Sequence, residues 1–501
     1  MKLTELTSPV TNSGPSSPPG AIRAPPLADP EIVGLTADSR QVKPGFLFAA
    51  LRGVVRDGRA FAGDAVAQGA MAILTDDPAA LALDPDISRR VAIISDANPQ
   101  RRLALFAARF YGRQPRTIAA ITGTNGKTSV AHFTREIWTA SGYKAASLGT
   151  LGLISPAGRR VGALTTPDPV GLHRDLSELA TRGIDHVAIE ASSHGLAQFR
   201  LDGVTVAAAA FTNLTRDHLD YHGNMESYRA AKERLFTALL MPRGPAILNA
   251  DSPEFARLAN LCREHGHEVI AYGCAAGAEL RVIDRVARPF GQRITADLFG
   301  GRHTIDLPLV GEFQAMNVLA ALGLVVASGV APEAALPALA HLSGVPGRMQ
   351  LVGESATGAP VFVDYAHTPD ALASVLAALR PHAAGRLAIV FGAGGDRDRG
   401  KRALMGGVAA ELADRVYVTD DNPRSEPPAE IRRAILAAAP QAIEIGDRRA
   451  AITTAIAELR RGDVLVIAGK GHESGQIVGS DILPFDDVAV AREALGPGGP
   501  A

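Results

Sequence analysis

Apolar and polar positions fall in blocks along this chain. Short apolar runs end in polar or glycine-rich loops, and stretches of helical spacing separate them. Between residues 32 and 96, the runs Gly45-Phe-Leu-Phe-Ala-Ala-Leu, Ala70-Met-Ala-Ile-Leu and Val91-Ala-Ile-Ile alternate with Gly/Asp turns, which predicts a small α/β domain. A helix is predicted over residues 99–111, and Gly112-Arg-Gln-Pro marks a boundary after it. The middle region carries Thr117-Ile-Ala-Ala-Ile, His186-Val-Ala-Ile-Glu and Val206-Ala-Ala-Ala-Ala-Phe-Thr-Asn, each suited to a buried strand. The last region carries Val361-Phe-Val, Leu387-Ala-Ile-Val-Phe, Val416-Tyr-Val and Val464-Leu-Val-Ile, each opening into a polar or glycine-rich loop. Strands separated by helical patterns imply parallel βαβ units. The expected fold class is therefore α/β in three domains, at residues 31–112, 113–342 and 343–497. Residues 1–30, with seven prolines and little apolar pattern, are expected to be a disordered tail.

The stretch Ile121-Thr-Gly-Thr-Asn-Gly-Lys-Thr-Ser sits between a strand and a helix in which Val130, Phe133 and Ile137 share one face. A glycine turn there presents backbone N–H groups to an anion, and the helix dipole adds roughly half a positive charge. Gly123, Thr124, Asn125 and Gly126 form the turn. Lys127 is placed to reach the β- and γ-phosphates of a nucleoside triphosphate, and the Thr128 or Ser129 hydroxyl to meet Mg²⁺. The loop is shorter than the common Gly-x-x-x-x-Gly-Lys-[Ser/Thr] form, because Ile121 stands where that form has its first glycine.

Charge changes the picture little: 51 Lys plus Arg balance 52 Asp plus Glu. That balance gives no reason to expect nucleic-acid or membrane-surface binding. No stretch of about 20 apolar residues suggests a membrane span. No secretory signal is seen, and Cys262 and Cys274 are expected to be free thiols of a cytoplasmic protein.

Further candidates cluster at strand ends. Glu190 closes one apolar run, and Asp217-His-Leu-Asp-Tyr-His follows another. A hard divalent cation with few protein ligands points to Glu190 and His218 beside Thr128 or Ser129. The Asp217-to-His222 stretch alone also fits a zinc or iron cluster, or a polar loop of N-caps. Lys232 borders the apolar stripe of a helix expected over residues 225–240, either snorkelling along the surface or desolvated for chemistry. In the last region, Gly394-Gly-Asp-Arg-Asp-Arg-Gly-Lys-Arg suits an anionic or zwitterionic ligand. Asp420-Asp-Asn-Pro-Arg-Ser offers a carboxylate for an ammonium and a guanidinium for a carboxylate, as an amino-acid ligand requires. Gly469-Lys-Gly-His-Glu adds another carboxylate.

Taken in order, Thr122 to Ser129, Glu190-Ala-Ser-Ser-His, Thr212-Asn-Leu-Thr-Arg-Asp-His-Leu-Asp, Gly344-Val-Pro-Gly-Arg-Met, Asp364-Tyr-Ala-His-Thr-Pro and Asp421-Asn-Pro-Arg resemble the Mur ligases of peptidoglycan synthesis, in their diaminopimelate-adding branch. The resemblance spans about residues 32–495. It implies a small N-terminal α/β UDP-binding domain, a central P-loop-type ATPase domain with a mostly parallel sheet, and a C-terminal Rossmann-like α/β domain that holds the incoming amino acid. The implied activity is ATP-dependent amide-bond formation. The substrates would be UDP-N-acetylmuramoyl-L-Ala-D-Glu and meso-2,6-diaminopimelate, with ATP and Mg²⁺, and the protein is expected to be a monomer without nucleic-acid or membrane partners. Lys232 corresponds to a lysine that becomes N-carboxylated and ligates Mg²⁺. Asn317, Arg348 and Asp364 correspond to ATP contacts. Ser39 corresponds to a uridine contact, and Thr165, Thr166, Ser192, Gln198 and Arg200 to contacts along the muramoyl-dipeptide. Arg397, Asp421, Asn422, Pro423, Arg424, Gly469 and Glu473 correspond to diaminopimelate contacts. Lysine-adding relatives lack the arginine of Asp-Asn-Pro-Arg. The chain departs from many relatives at Gly53-Val-Val-Arg-Asp-Gly. A folylpolyglutamate-type ligase, a nucleotide switch without ligation and a metal-dependent hydrolase at the Asp217-to-His222 stretch remain as rival readings.

Overall fold

The computed structural model describes residues 1–8, 22–23, 29–53, 56–81, 83–84, 91–162, 164–288 and 290–496. They gather into two compact units. The first holds residues 1–127, 142–248 and 254–269, and the second residues 128–141, 249–253 and the chain from 270 onward.

In the first unit, the strands Gly34–Thr36, Phe46–Ala49, Ala72–Thr75 and Ala92–Ser95 pair in parallel in that order, with Ile22–Arg23 antiparallel at the edge. Their runs are apolar throughout because both faces are covered. Leu47, Ala49, Leu74 and Ile94 pack with Leu103, Phe106 and Ala107 of the helix Pro99–Tyr111. Phe48, Ile73 and Ile93 pack with Ala62 and Ala65 on the other face. That helix has the bounds its periodicity predicts. The expected disordered tail differs at its beginning, where Leu3–Thr7 is a helix whose Leu3 and Leu6 are buried in the same cluster. Two leucines three apart share one helix face, and burying a leucine is worth about 1.5–3 kcal/mol. Asp29 ties this turn down, accepting from Thr4 N at 2.9 Å and Thr4 Oγ1 at 2.6 Å. The rest of the expected tail, residues 9–21 and 24–28, lies outside the described residues, as do Val54 and Val55 of the departing Gly53 stretch.

The same unit holds a second parallel array. The strand Thr117–Thr122 lies at its centre, buried along its whole length. His186–Glu190 and then Ala145–Gly149 lie to one side, and Ala208–Phe211 and then Ala246–Asn249 to the other. The chain order reverses across the central strand, which makes its carboxyl end a topological switch point, the usual place for a ligand in such sheets. Gly152–Ser155 and Gly158–Arg160 add antiparallel edge strands. The helix expected over residues 225–240 is α-helical over Met225–Arg234 and continues as a wider π-turn over Leu235–Leu239. Tyr228 and Lys232 are buried in the α segment, and Leu235, Phe236 and Leu239 in the π segment.

In the second unit, Leu280–Arg288, Gly291–Leu298 and Gly301–Leu307 form an antiparallel meander. The helix Glu312–Ala327 follows, apolar nearly all round and correspondingly buried. A six-stranded sheet runs in the order Gln350–Glu354, Pro360–Asp364, Val464–Ala468, Leu387–Phe391, Arg415–Val418 and Ile443–Glu444, parallel except for its first strand. Apolar clusters cover both of its faces. A small hairpin, Gly475–Val478 with Asp481–Pro484, follows. The helix Lys127–Ala140, which opens at the phosphate loop, carries Trp138, the chain's one tryptophan. Trp138 is buried and donates its indole N–H to Ser328 Oγ at 2.9 Å. Cys262 is buried and Cys274 exposed, both as free thiols. Among the described residues, no helix is long and apolar enough to cross a membrane.

Candidate functional site

The phosphate loop leaves the central strand through Gly123, whose φ of 146° suits only glycine. A Cβ there would stand 1.9 Å from Thr212 Oγ1. The polar end of the neighbouring strand Ala208–Phe211 pins the loop. Thr212 Oγ1 donates to the Asn125 carbonyl at 2.5 Å, Thr124 N donates to the Asn213 carbonyl at 2.8 Å, and Asn125 N donates to Asn213 Oδ1 at 3.0 Å. Thr124 Oγ1 lies 3.1 Å from the Tyr228 hydroxyl, whose pKa burial pushes up to about 12.

Two lysines meet at this turn. Lys127 Nζ donates to the carbonyls of Gly123 at 2.9 Å and Thr124 at 2.7 Å. Lys232 Nζ donates to the same Gly123 carbonyl at 2.6 Å and sits 4.5 Å over the Tyr228 ring. Lys232 is only 2% exposed. Burial, helped by the neighbouring Lys127 charge and opposed by Asp217, holds its pKa well below the usual lysine range. Of the two sequence alternatives for Lys232, the desolvated lysine is the one observed.

Glu190 is buried at the end of its strand. Its Oε1 accepts from Thr150 N at 2.7 Å and its Oε2 from Thr150 Oγ1 at 3.2 Å. Thr150 Oγ1 in turn lies 3.1 Å from Thr165 Oγ1. Thr166 Oγ1 donates to the Glu190 carbonyl at 2.7 Å and lies 3.0 Å from Ser192 Oγ, which caps the short helix Ser193–Ala197 by accepting from Gly195 N. Arg200 donates to the Thr166 carbonyl at 2.7 Å and to Gln198 Oε1, and Gln198 donates to the Tyr221 hydroxyl at 3.0 Å. Thr165, Thr166, Ser192, Gln198 and Arg200 therefore form one network with Glu190. Ser39 stands just beyond the strand Gly34–Thr36 of the N-terminal sheet, opening the turn Ser39–Gln41, which Asp38 caps. His218 adopts the left-handed conformation at φ 51°, with its ring 4.8 Å from His194 and 6.2 Å from Tyr228. Among the described residues, no group of three or more His, Cys, Asp or Glu side chains is arranged to hold a metal ion.

The second unit collects the remaining candidates. Thr128 and Ser129 open its helix, with Ser129 buried. Asn317 is buried and donates to Gln314 Oε1 at 3.1 Å. Asp364 accepts from Met349 N at 2.7 Å and Ala366 N at 2.8 Å. Burial raises its pKa against the pull of Arg348, whose guanidinium lies 4.8 Å over the Tyr365 ring. The acceptor loops interlock. Gly395 N donates to the Asn422 carbonyl at 3.0 Å, and Arg424 donates to the Gly395 carbonyl at 2.9 Å. A Cβ at Gly395 would stand 1.8 Å from the Pro423 carbonyl, and one at Gly469 2.5 Å from Asp421 Oδ2. Arg402 grips Glu426 with both nitrogens, at 3.1 and 2.8 Å, and holds that carboxyl down at about 2. Arg397 is exposed in the loop between the strand Leu387–Phe391 and the helix Gly400–Leu412. Glu473 Oε2 accepts from Asn422 Nδ2 at 3.0 Å, and Oε1 from the Tyr365 hydroxyl at 3.4 Å.

Thr150, Asn213, Tyr228, Tyr365 and Glu426 join these networks in addition to the sequence candidates. Thr150 stands forty positions from the carboxylate it holds, and no periodicity connects such a pair. Asn213 carried a signal, as the polar residue two beyond an apolar strand.

Comparison with known proteins identifies the family. Residues 31–111 match the family described as Mur ligase family, catalytic domain, residues 121–325 the Mur ligase middle domain, and residues 347–471 the Mur ligase, glutamate ligase domain. The UDP-N-acetylmuramoyl-L-alanyl-D-glutamate--2,6-diaminopimelate ligase of Bradyrhizobium diazoefficiens is 53% identical over 474 residues, covering 94% of this chain and 96% of that protein. The ligase of the same name from Mesorhizobium japonicum is 50% identical and covers 99% of both. A solved structure of a ligase of that name superposes with a TM-score of 0.73 at 32% identity, covering 99% of this chain and 98% of its own. The Mycobacterium tuberculosis folylpolyglutamate synthase shares the fold at 20% identity and a TM-score of 0.60, covering 80% of this chain and 96% of its own.

Proposed function

The chain belongs to the Mur ligase family, and from that premise we propose that it is an ATP-dependent ligase of cell-wall synthesis. It joins meso-2,6-diaminopimelate to the D-glutamyl γ-carboxylate of UDP-N-acetylmuramoyl-L-Ala-D-Glu, as a monomer in the cytoplasm. The names of relatives about half identical over nearly the whole chain support this reading. The observation that carries it is the pair of lysines on the Gly123 carbonyl, at a pinned phosphate loop on the sheet's switch point.

In this reading, residues 123–129 hold ATP, with Asn317, Arg348 and Asp364 as further contacts. Ser39 serves the uridine end. Thr165, Thr166, Ser192, Gln198 and Arg200 serve the muramoyl-dipeptide. Arg397, Asp421, Asn422, Pro423, Arg424, Gly469 and Glu473 serve diaminopimelate, with Arg424 on the distal carboxylate that lysine lacks.

A carboxylate is a poor electrophile toward an amine, so it is activated first. The γ-carboxylate attacks the γ-phosphorus, ADP leaves and an acyl phosphate forms. The amine then attacks the acyl carbon, phosphate leaves and the nitrogen loses a proton. Lys127 and the loop N–H groups oppose the charge that gathers on the transferring phosphoryl oxygens. To do so, Lys127 exchanges its bonds to the loop carbonyls for the phosphate. Placing the amine against the acyl carbon supplies much of the second step.

The donor set suits a hard divalent cation: a buried carboxylate at Glu190, the hydroxyl of Thr128 and the imidazole of His218. When bound, Mg²⁺ adds charge neutralisation at the phosphates. Lys232 fits the further role of a carbamate ligand. Its burial favours the neutral amine, the form that combines with CO₂ and releases a proton.

The test is phosphate release with ATP and the UDP-dipeptide against meso-diaminopimelate, LL-diaminopimelate, lysine and ornithine. Release is expected with diaminopimelate. Lys127→Ala is expected to lower turnover by roughly 10²–10³-fold or more with the circular dichroism spectrum unchanged. Turnover with lysine alone, or full ligation by Lys127→Ala, overturns the reading.

A further inference from the structure

Lys470 is 0% exposed, in the turn that follows the strand Val464–Ala468. Lysine is almost never fully buried unless its ammonium is matched by acceptors. Lys470 Nζ donates to Asn422 Oδ1 at 3.0 Å and to the Gly475 carbonyl at 2.8 Å, and lies 3.2 Å from Asp421 Oδ1. One side chain thereby joins the Asp421-Asn422-Pro423-Arg424 loop to the first residue of the hairpin strand Gly475–Val478.

The loop needs such a fastening. Asn422 and Arg424 both stand in the left-handed region, at φ 45° and 53°. Non-glycine residues stay there only where their surroundings over-determine them. Asn422 is over-determined: its Oδ1 also accepts from Ile477 N at 2.9 Å, its Nδ2 donates to Glu473, and its own N–H donates to Gln476 Oε1 at 3.2 Å. Arg424 is paired across to the hairpin, donating to the Ile477 carbonyl at 3.1 Å and accepting from Gly479 N at 2.8 Å.

The charges divide in a way that matters for an amino-acid ligand. Asp421 has the Lys470 ammonium beside it inside the protein. Glu473 is hydrogen-bonded by the uncharged amide of Asn422 and hydroxyl of Tyr365.

We propose that Lys470 is a positioning residue for the amine acceptor. It fastens Asn422 to the hairpin whose next residues pair with Arg424, and with Arg448 it balances Asp421, so that the Asn422 amide holds the Glu473 carboxylate in place for the ammonium of the incoming amino acid. The proposal rests on the ligase reading above.

The experiment uses the full chain with Lys470→Met and Lys470→Gln, measuring phosphate release as each substrate is varied in turn. The KM for diaminopimelate is expected to rise at least tenfold in Lys470→Met and less in Lys470→Gln, which keeps an N–H donor. The KM values for ATP and the UDP-dipeptide are expected to stay within twofold. An unchanged diaminopimelate KM with an active wild type overturns the proposal alone, as does an equal rise in all three KM values. A wild type with no acceptor-dependent release overturns the ligase reading and this proposal with it. If neither variant folds, hydrogen exchange on the wild type decides. Diaminopimelate is expected to protect residues 420–426 and 475–479 together, and protection of the first segment alone overturns the coupling.

Discussion

The phosphate loop of the first unit and the acceptor loops of the second are both glycine-rich connections leaving buried parallel strands, yet they are held by different chemistry. The phosphate loop is pinned by neutral groups: the Thr212 hydroxyl, the Asn213 amide and carbonyl, and the Tyr228 hydroxyl that meets Thr124. Its lysines, Lys127 and Lys232, both donate to backbone carbonyls. The acceptor loops are framed by charge pairs, Arg402 with Glu426 and Lys470 with Asp421. A site for a polyanion does well to hold its loop with neutral groups, so that the ligand's charge meets the backbone N–H groups and lysines without a fixed anion in the loop's own frame. A site for a zwitterion has to present both signs at fixed places, and internal ion pairs fix the frame without adding net charge.

Lys232→Met is the severest break on the phosphate side. Ligation is expected to fall by 10³-fold or more while nucleotide binding by calorimetry persists. The same variant sharpens the electrostatic account through stability measured against pH in CO₂-free buffer. Lys232 has a folded-state pKa below its unfolded value, so the unfolded chain binds the extra proton and the penalty grows as pH falls below 10.5. The variant is therefore expected to compare better with wild type at pH 7 than near pH 10.5, and the opposite slope refutes the assignment. Gly123→Ala comes next. With φ at 146° and Thr212 Oγ1 standing 1.9 Å from the new Cβ, ATP kcat/KM is expected to drop by roughly 10²-fold. An ATP KM and kcat within twofold of wild type would show that the loop is not held as described. Glu426→Gln is the mildest. It removes a charge pair without removing volume, so the diaminopimelate KM is expected to rise several-fold with ATP untouched. Glu426 has its carboxyl lowered from 4.5 to about 2, so its contribution to stability is present above about pH 4.5 and fades as pH falls toward 2. The variant should flatten that acid limb in denaturation curves, and an unchanged limb breaks the comparison.

Much of the scaffold was legible in the sequence. The helix Pro99–Tyr111 announces itself by spacing and a glycine stop, and the strands ending in Glu190 and Phe211 are unbroken apolar runs because both faces of the sheet are covered. The phosphate loop and the glycine-rich acceptor loops stand out for the same local reason, since glycine, lysine and carboxylate stand close in the chain, whereas the further contacts were named through the family resemblance. What escaped is what depends on distant partners. Thr150 on Glu190, Tyr228 on Thr124 and Glu426 on Arg402 are matches between segments 24 to 104 positions apart, and nothing in either segment specifies the other. The helix Leu3–Thr7 escaped because two leucines among prolines and serines carry too little pattern, and only the apolar cluster they join makes them count.

Trp138 has an optical consequence. It is the chain's one tryptophan, buried in the helix that opens at Lys127, with its indole fixed on Ser328. Excitation at the red edge of the absorption band, where tyrosine is silent, therefore addresses a single chromophore three turns from the phosphate loop. Emission wavelength, lifetime and anisotropy then belong to that helix alone. The protein brings its own reporter for events at the nucleotide end, with no dye attached and no residue exchanged.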